Sequence, residues 1–476
     1  MTDKRRYGMP SRRKAVTDLT VGDPLKVIIA FSVPLFLSSI LQQVYNLTDI
    51  SIIGHVLGDD ALSSIGAVST IYNLFNSLMF GMGNGISLVV ARFFGADDEK
   101  GLRKAVANTM LLAAVWGSVI TVVALLTLKP LMKLLNTPEE IFMTSYGYVS
   151  ILLSLIFLPF IYNVLSGLLR ALGNSRAPLY FLIISVVTNI FLDILFVWKF
   201  GWGLEGAAYA TAIAQALSSL MCFIYIKKFV PELHITRDDH VISKSILSDL
   251  FSAGFSFAMM FTVVNVGTVV LQGAINSFGV TTIGAHTAAR KVSELCMMLV
   301  GTFSGSMATF AGQNHGAGKY YRIKEGLKKI ILASFVLDTL VILMIYTVGR
   351  YIVILISGSS NEELISTAMF YLHVDLPFYY VLSILLITRN TMQGMGAKWT
   401  PIIASLVELS LKAFTAGWLA KKLGYTGIAI CEPLIWFVCA IYILIAFKLS
   451  LKKQNDRFGK DAVPYEERDE LFDYDG

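Results

Sequence analysis

Long apolar runs are the feature that most limits what this chain can fold into. A helix that crosses a bilayer needs about 20 mostly apolar residues, and twelve runs in the sequence meet that length. The runs do not alternate with a period of two, which favours spanning helices over the strands of a membrane barrel. The approximate spans are 26–54, 61–91, 105–128, 141–169, 178–198, 205–226, 248–275, 282–312, 326–349, 363–388, 400–420 and 425–447.

The composition supports a membrane protein and argues against several other classes. Of the 476 residues, 55% are hydrophobic and 15% are charged, against about 45–50% and about 25% in soluble domains. The four cysteines form no CxxC pair, and the six histidines form no HxxxH or HExxH cluster. No GxxxxGKS phosphate loop is present either. We therefore expect a protein that is not an enzyme and that has no cofactor.

The distribution of lysine and arginine predicts the orientation. With the N-terminus placed in the cytoplasm, the cytoplasmic segments carry 30 of the 39 basic residues and the outer segments carry six. Because cytoplasmic loops retain positive charge, we expect both termini in the cytoplasm. This bias also explains the net charge of +6 without a nucleic-acid partner. The other three bases lie inside apolar runs: Arg290, Lys291 and Lys412.

The two halves of the chain repeat each other. Gly95 in RFFGADD corresponds to Gly316 in QNHGAGK at an offset of 221, and GLEGAAYA corresponds to GYTGIAIC at the same offset. LRALGNSRAP corresponds to MQGMGAKWTP at an offset of 223. Six helices return the chain to the same side, so the sequence predicts a parallel repeat of two pseudo-symmetric six-helix lobes. The predicted units are an N-lobe (1–230), a cytoplasmic linker (231–247), a C-lobe (248–450) and a cytoplasmic tail (451–476).

Carboxylates inside the spans are the first candidates for function, because burying a charge in hydrocarbon is costly. Glu408 lies four residues before Lys412, and Glu294 lies four residues after Arg290, so each can form an ion pair on its own helix. Three acids have no role that the sequence assigns: Asp338, Asp375 and Glu432. The seven embedded acids are Asp49, Asp193, Glu294, Asp338, Asp375, Glu408 and Glu432.

The strongest cluster lies in the N-lobe. The fifth span carries Asn189 and Asp193, four residues apart and therefore on one helix face. The sixth span carries Ala207 and Thr211 with the same spacing. A short glycine-containing turn joins the two spans, which makes them antiparallel neighbours.

Helical geometry places these groups at one depth. At a rise of ~1.5 Å per residue, Asp193 lies roughly 22 Å beyond Pro178, and Thr211 lies roughly 9 Å from the opposite edge at Glu205. Asp49, near the end of the first span, belongs to the same outer side. Carboxylate, amide and hydroxyl oxygens suit Na⁺, and paired carboxylates in a low dielectric can hold a proton. The sequence does not choose between the two ions.

On these residues the chain resembles the multidrug and toxin extrusion (MATE) transporters. The likeness runs through VPLFLSSILQQVYNLTDISIIGHVLG (33–58), GNGISLVVARFFGADD (83–98) and GLLRALGNSRAP (167–178). It implies twelve helices in two lobes and export of cationic, lipophilic drugs in exchange for H⁺ or Na⁺ by alternating access. It further implies a multi-pass protein of the plasma membrane, and we expect it to be a monomer.

The resemblance is greatest to the branch with an N-lobe cation site. It assigns ion binding and coupling to Asp49, Asn189, Asp193 and Thr211, which would also be the ligands of a bound Na⁺, and to the backbone carbonyl of Ala207. It assigns a bending point in helix 1 to Pro34, which frees the carbonyl four residues earlier. Weaker candidates for a drug cavity are Glu294, Tyr45, Phe157 and Tyr162.

The second lobe departs from this pattern. By the repeat offsets, Asn189 corresponds to Lys412 and Asp193 to Ala416, so coupling is predicted in the N-lobe. The main alternative is a flippase of the same superfamily that exports lipid-linked sugars or polysaccharide precursors. Such a protein would need a basic cavity for a diphosphate, whereas seven acids and three bases are embedded here.

Overall fold

The computed structural model describes residues 16–236, 239 and 242–458. These residues form an all-α bundle with no strand. Twelve helices are long and apolar enough to cross a membrane, and each corresponds to one predicted span. They are α1 (Pro24–Leu57), α2 (Asp59–Gly95), α3 (Glu99–Leu134), α4 (Glu139–Ala171), α5 (Arg176–Lys199), α6 (Gly203–Phe229), α7 (Lys244–Phe278), α8 (Val280–Gly316), α9 (Tyr320–Ser357), α10 (Glu362–Gly394), α11 (Trp399–Leu423) and α12 (Tyr425–Lys452).

The connections at the predicted unit boundaries are short. A 3-10 turn, Pro231–Leu233, follows α6, and α7 begins at Lys244, inside the predicted linker. The helix that forms α12 continues to Phe458. The rest of the predicted tail lies outside the described residues, as does the segment 1–15.

Interruptions of the helices repeat in both halves. α4 is broken by a turn at Leu155 and Ile156, and α10 is broken by a 3-10 turn at Leu376–Phe378. α5 ends in a π-helical segment, Ile194–Lys199, and α11 contains another, Thr415–Leu419. The starts of the two π segments are separated by the offset of the sequence repeat. The halves therefore share local irregularities as well as spans.

Contacts between the lobes obey the same repeat. We call the end of the bundle where α1 begins and α2 ends the terminal face. There, a Cβ atom added to Gly95 would overlap the backbone of Gln313, and one added to Gly316 would overlap the backbone of Arg92. Both pairs are related by the repeat offset, so they are one contact seen twice about a pseudo-two-fold axis. Only glycine allows the two helices to approach this closely.

A second pair of contacts repeats deeper in the bundle. Ser32 of α1 donates a hydrogen bond to Ser306 of α8, with 2.7 Å between the two Oγ atoms. The equivalent contact joins α7 to α2, where a Cβ atom on Gly85 would overlap the carbonyl of Ala253. Two lobes of six helices, related as a parallel repeat, are therefore the architecture of the described chain.

The lobes are sealed at the terminal face and part towards the other end. Hydrogen bonds between described residues of the two lobes extend from the terminal face only as far as Asn265 Nδ2 and Ser77 Oγ, 2.9 Å apart near the middle of α2. The far end is therefore the more open end of the interface.

An N-terminal strap, residues 17–23, closes the terminal face. Leu19 is 1% exposed and packs into the core of the C-lobe. Its backbone N–H donates to Gln313 Oε1 at 2.8 Å, and Gln313 Nε2 donates to the carbonyl oxygen of Ala171 in the N-lobe, also at 2.8 Å. One glutamine side chain therefore ties the strap and both lobes together.

Candidate cation site

Three helices bring the predicted N-lobe residues together, because α5 packs against both α1 and α6. Asn189 and Asp193 are completely buried on α5, one helical turn apart. Asp49 reaches them from α1, and its carboxyl group lies within hydrogen-bonding range of the Asp193 carboxyl group. The sequence analysis places Asp49 and Asp193 on the same outer side, and the structure brings their carboxyl groups together.

The centre of this cluster consists of polar atoms that the described chain leaves unpartnered. Both side-chain polar atoms of Asn189, both carboxylate oxygens of Asp193 and Oδ1 of Asp49 are buried without a hydrogen-bond donor or acceptor. Two ionised carboxylates can only accept, so Asp49 and Asp193 bond to each other only when one carries a proton. Buried polar groups are otherwise almost always satisfied. The donor set therefore fits a small cation, either a shared proton or a metal ion that prefers oxygen.

A hydroxyl pair forms one wall of the cluster. Tyr45, one turn before Asp49 on α1, donates its phenolic O–H to Thr211 Oγ1 at 3.0 Å. Ala207 is 1% exposed and lies one turn from Thr211 on α6. Tyr45, a weak candidate for lining a drug cavity, lies beside the two carboxylates, and its role in a cavity stays a prediction.

Two further tyrosines surround Asp49, and the sequence analysis does not identify them. Tyr72 of α2 and Tyr148 of α4 both lie close enough to Asp49 to interact electrostatically with it. Tyrosines are common in membrane proteins, so their types alone give no signal. The sequence repeat does give a signal for Tyr148. Its counterpart in the C-lobe at an offset of 223 is Tyr371, which is also buried.

The backbone around Asp193 departs from a regular helix. The α-helical part of α5 ends at Asp193, and the π-helical segment Ile194–Lys199 begins at the next residue. A π segment inserts a residue into the helical turn and shifts the register of the side chains that follow it, and such segments are frequent at functional sites. The register of the side chains therefore changes immediately after Asp193.

Pro34 lies where α1 changes partners. Ile28, on the terminal side of Pro34, is buried in the core of the C-lobe. Tyr45, on the other side, packs with Leu182 of α5 in the N-lobe. α1 is a continuous helix from Pro24 to Leu57. Bending at Pro34 stays a prediction, and the structure adds that this proline separates the parts of α1 that contact different lobes.

The remaining predicted residues lie away from this cluster. Phe157 is 38% exposed at the break in α4. Tyr162 donates its O–H to the carbonyl oxygen of Pro178 at 3.3 Å and so ties α4 to the first turn of α5. Glu294 is exposed and lies on α8 in the other lobe.

The predicted ion pair between Arg290 and Glu294 is wrong. Glu294 pairs with Lys291, with 3.1 Å between Oε2 and Nζ. Arg290 turns into the C-lobe and pairs with Glu432 of α12 at 3.7 Å. The spacing on one helix indicated a local partner, but α12 presents an acid to the buried face of α8.

The other predicted pair is confirmed and is part of a larger network. Lys412 Nζ lies 3.0 Å from Glu408 Oε1 and 3.3 Å from Glu432 Oε1. Glu408 also pairs with Arg389 at 3.8 Å. The predicted orientation places Arg389 among the cytoplasmic bases, but α10 continues past it, and Arg389 is only 7% exposed. The apolar run ends at residue 388, whereas the helix continues to Gly394.

The two remaining acids of the C-lobe are held by serines. Ser383 donates to Asp338 Oδ2 at 2.7 Å, and Ser293 donates to Asp375 Oδ2 at 3.2 Å. Within the described residues, no group of three or more His, Cys, Asp or Glu side chains could hold a metal ion. The N-lobe cluster differs from such a centre because its oxygens come from carboxylate, amide and hydroxyl groups together.

Comparisons with known proteins agree with this architecture. The MatE family model matches residues 34–195 and 256–418, one segment in each lobe. The probable multidrug resistance protein YoeA of Bacillus subtilis strain 168 is 26% identical over 437 residues, covering 89% of this chain and 94% of that protein. Two solved structures superpose with TM-scores of 0.87 and 0.85: a MATE protein in the bent conformation, and an outward-facing multidrug resistance MATE family transporter of the MOP superfamily. Each is 22% identical and covers 93% of this chain and 99% of that chain.

The duplicated match has the same origin as the duplicated fold. The two matched segments begin at nearly equivalent positions of the two halves and together span more than half of the sequence. They confirm the resemblance that the motifs of both halves indicated. This chain belongs to the MatE (MATE) family, whose members are transporters.

Proposed function

We propose that this protein is a secondary active multidrug efflux antiporter that exports cationic, lipophilic compounds in exchange for H⁺ or Na⁺. The observation that carries the proposal is the buried pair Asp49 and Asp193, whose facing oxygens lack partners in the described chain. Two ionised carboxylates that face each other repel unless a cation lies between them. A site of this kind binds a cation and changes its geometry when the cation leaves.

Orientation gives the site its access. With the terminal face in the cytoplasm, the sealed end of the lobe interface is the inner end and the open end faces outwards. The excess of lysine and arginine in the segments on the terminal side supports this placement. In the bacterial plasma membrane both termini are then cytoplasmic, and Asp49 lies towards the outer half of α1. The conformation described is therefore outward-facing.

The exchange follows from one equilibrium with two ligands. A cation that enters from outside joins Asp49 to Asp193, and α1 bends near Pro34, where its partners change. The bend distorts the drug-binding surface in the outward-facing state and releases the drug. Return to the inward-facing state requires the contacts of Gly95 and Gly316 to separate, and the cation then leaves to the cytoplasm. Drug and cation are coupled because each favours a different state of the same protein.

Charge distribution supports a cationic cargo over a diphosphate. The C-lobe bases Arg290, Arg389 and Lys412 are each paired with a glutamate, which leaves them poorly disposed to bind the phosphates of a lipid-linked sugar. We expect the protein to act as a monomer.

Transport of a fluorescent cation such as ethidium out of proteoliposomes, with the pH and Na⁺ gradients imposed separately, tests this function. We expect one of the two gradients to drive concentrative transport and an ionophore for that ion to abolish it. Transport that proceeds equally with both gradients collapsed would contradict the antiport mechanism.

A further inference from the structure

The C-lobe contains a polar cluster at the positions that correspond to the N-lobe cation site. Lys412 of α11 corresponds to Asn189 at an offset of 223, and Glu432 of α12 corresponds to Thr211 at an offset of 221. Asn189 lies five residues before the π-helical segment of its helix, and Lys412 lies three residues before the π-helical segment of α11. Thr211 and Glu432 each lie near the start of the following helix. The two clusters therefore lie in corresponding helices of the two lobes, with a difference of two residues between the two offsets.

The side chain of Lys412 is held at the centre of this second cluster. Its ammonium group contacts Oε1 of Glu408 at 3.0 Å and Oε1 of Glu432 at 3.3 Å, and the side chain is 2% exposed. Gly267 of α7 leaves room for it, since a Cβ atom there would lie 2.9 Å from Lys412 Cδ. A positive nitrogen thus lies between two carboxylates that come from different helices.

The elements around Lys412, apart from α7, present a set of charges. α8 presents Arg290 and the ring of His286, α10 presents Arg389, Tyr371 and Asp375, and α11 and α12 present Glu408 and Glu432. Three acids face three bases in this set. Removing the lysine charge leaves Glu408 with Arg389 alone, at 3.8 Å, and Glu432 with Arg290 alone, at 3.7 Å. The buried set then has one more acid than base, which is unfavourable.

We propose that the Lys412 ammonium group is a tethered cation, which fills in the C-lobe the place that an exchangeable H⁺ or Na⁺ takes in the N-lobe. The part of this inference that concerns the N-lobe rests on the proposed function. It explains why the repeat is broken in this cluster: a covalently attached cation cannot leave, so the C-lobe keeps one charge state and only the N-lobe exchanges an ion. The C-lobe consequently contains a latent site for a small monovalent cation between Glu408 and Glu432, which loss of the ammonium group exposes.

Carboxylate oxygens already lie at the right places for such an ion. Glu408 and Glu432 both direct Oε1 at the lysine nitrogen, and carboxylate oxygens are suitable ligands for a hard cation. Truncating the lysine side chain frees the volume that its outer methylenes and ammonium group occupy. Na⁺ or a proton would neutralise the negative charge that remains on the carboxylates. An experiment can tell which of the two cations binds.

The test uses thermal unfolding of the purified full chain in detergent. An Asp193→Asn background removes the N-lobe carboxylate pair, so that a cation response must come from elsewhere. Three proteins are compared in NaCl and in choline chloride at equal ionic strength, at alkaline and at acidic pH: Asp193→Asn, Asp193→Asn with Lys412→Ala, and the latter with Glu432→Gln added.

We expect a Na⁺-dependent or acid-dependent rise in Tm of several degrees only in the protein that carries Lys412→Ala with Glu432 intact, since ligand binding to the folded state stabilises it. Na⁺ identifies a metal ion as the replacement, and acid alone identifies a proton. Equal responses in all three proteins would overturn the proposal. If the Lys412→Ala protein cannot be purified in choline chloride, it should be recovered in NaCl or at low pH, and failure of both would also overturn it.

The N-lobe assignment is tested separately by comparing Asp193→Asn with the wild type. If Asp193→Asn retains the full cation response of the wild type, the proposed N-lobe site is wrong. The comparison among the three proteins is unaffected, because all of them have the same N-lobe.

Discussion

The carboxyl groups of Asp49 and Asp193 face each other between α1 and α5 within hydrogen-bonding range, and neither α6 nor α2 supplies a basic partner among the described contacts. The acids of the C-lobe differ, since glutamates there pair with lysine or arginine. The chain therefore contains one acid cluster with its own cations and one without. The second kind is the one that can respond to an ion gradient.

Asp193→Asn is expected to abolish gradient-driven efflux of ethidium while the protein remains folded. The amide keeps the size of the side chain but removes a charge and one acceptor of the cation. Efflux from cells or proteoliposomes measures the effect, with size-exclusion profiles as the check on folding. Asp338→Asn is the matched control, because that aspartate is also embedded but is held by Ser383 in the C-lobe. Normal efflux by Asp193→Asn would show that coupling lies elsewhere.

Tyr45→Phe is expected to weaken the use of the cation without abolishing it. The change removes the O–H that donates to Thr211 Oγ1, and loss of one hydrogen bond costs about 0.5–1.5 kcal/mol. The cation concentration that gives half-maximal efflux should rise roughly 2- to 10-fold. Tyr162→Phe removes a comparable bond to the carbonyl of Pro178 and should leave that concentration unchanged. An equal shift in both variants would indicate a general loss of packing.

Gly95→Ala is expected to open the terminal face. Its Cβ atom would overlap the backbone of Gln313, and overpacking of this kind costs about 1–3 kcal/mol. The population of the sealed state should fall, which raises the alkylation rate of a probe made by Leu88→Cys, a buried position at the lobe interface. Gly66→Ala is the control, since nothing lies within 4 Å of its added Cβ. Unchanged alkylation with Gly95→Ala would mean that this contact does not hold the lobes together.

The span pattern was predictable because hydrocarbon imposes a length on every helix that crosses it. All twelve spans and the two-lobe repeat were predicted from apolar runs and repeated glycine motifs. The shared depth of Asp193 and Thr211 followed from a constant helical rise. Within the site, sequence reasoning identified the residues whose types are rare inside membranes, which are the acids and the amide beside them.

Contacts between distant helices were not predictable in the same way. Arg290 has an acid one helical turn away, yet it pairs with Glu432 of α12. Tyr72 and Tyr148 approach Asp49 from separate helices, and their residue type is too common in a membrane to mark them. Arg389 was placed outside the membrane because hydropathy registers its charge but not the glutamate that compensates it. Each of these incorrect or absent predictions concerns a contact between residues that only the packing of helices brings together.

Equilibrium binding of a fluorescent cationic drug to the purified protein, titrated with Na⁺ and with H⁺, tests the coupling at Asp49 and Asp193 most directly. In the wild type, the coupling cation should weaken drug binding by about 5- to 150-fold, the range that corresponds to typical coupling free energies of about 1–3 kcal/mol. In Asp193→Asn, drug affinity should no longer depend on that cation. Drug affinity that is independent of both cations in the wild type, or a dependence that survives intact in Asp193→Asn, would contradict the account.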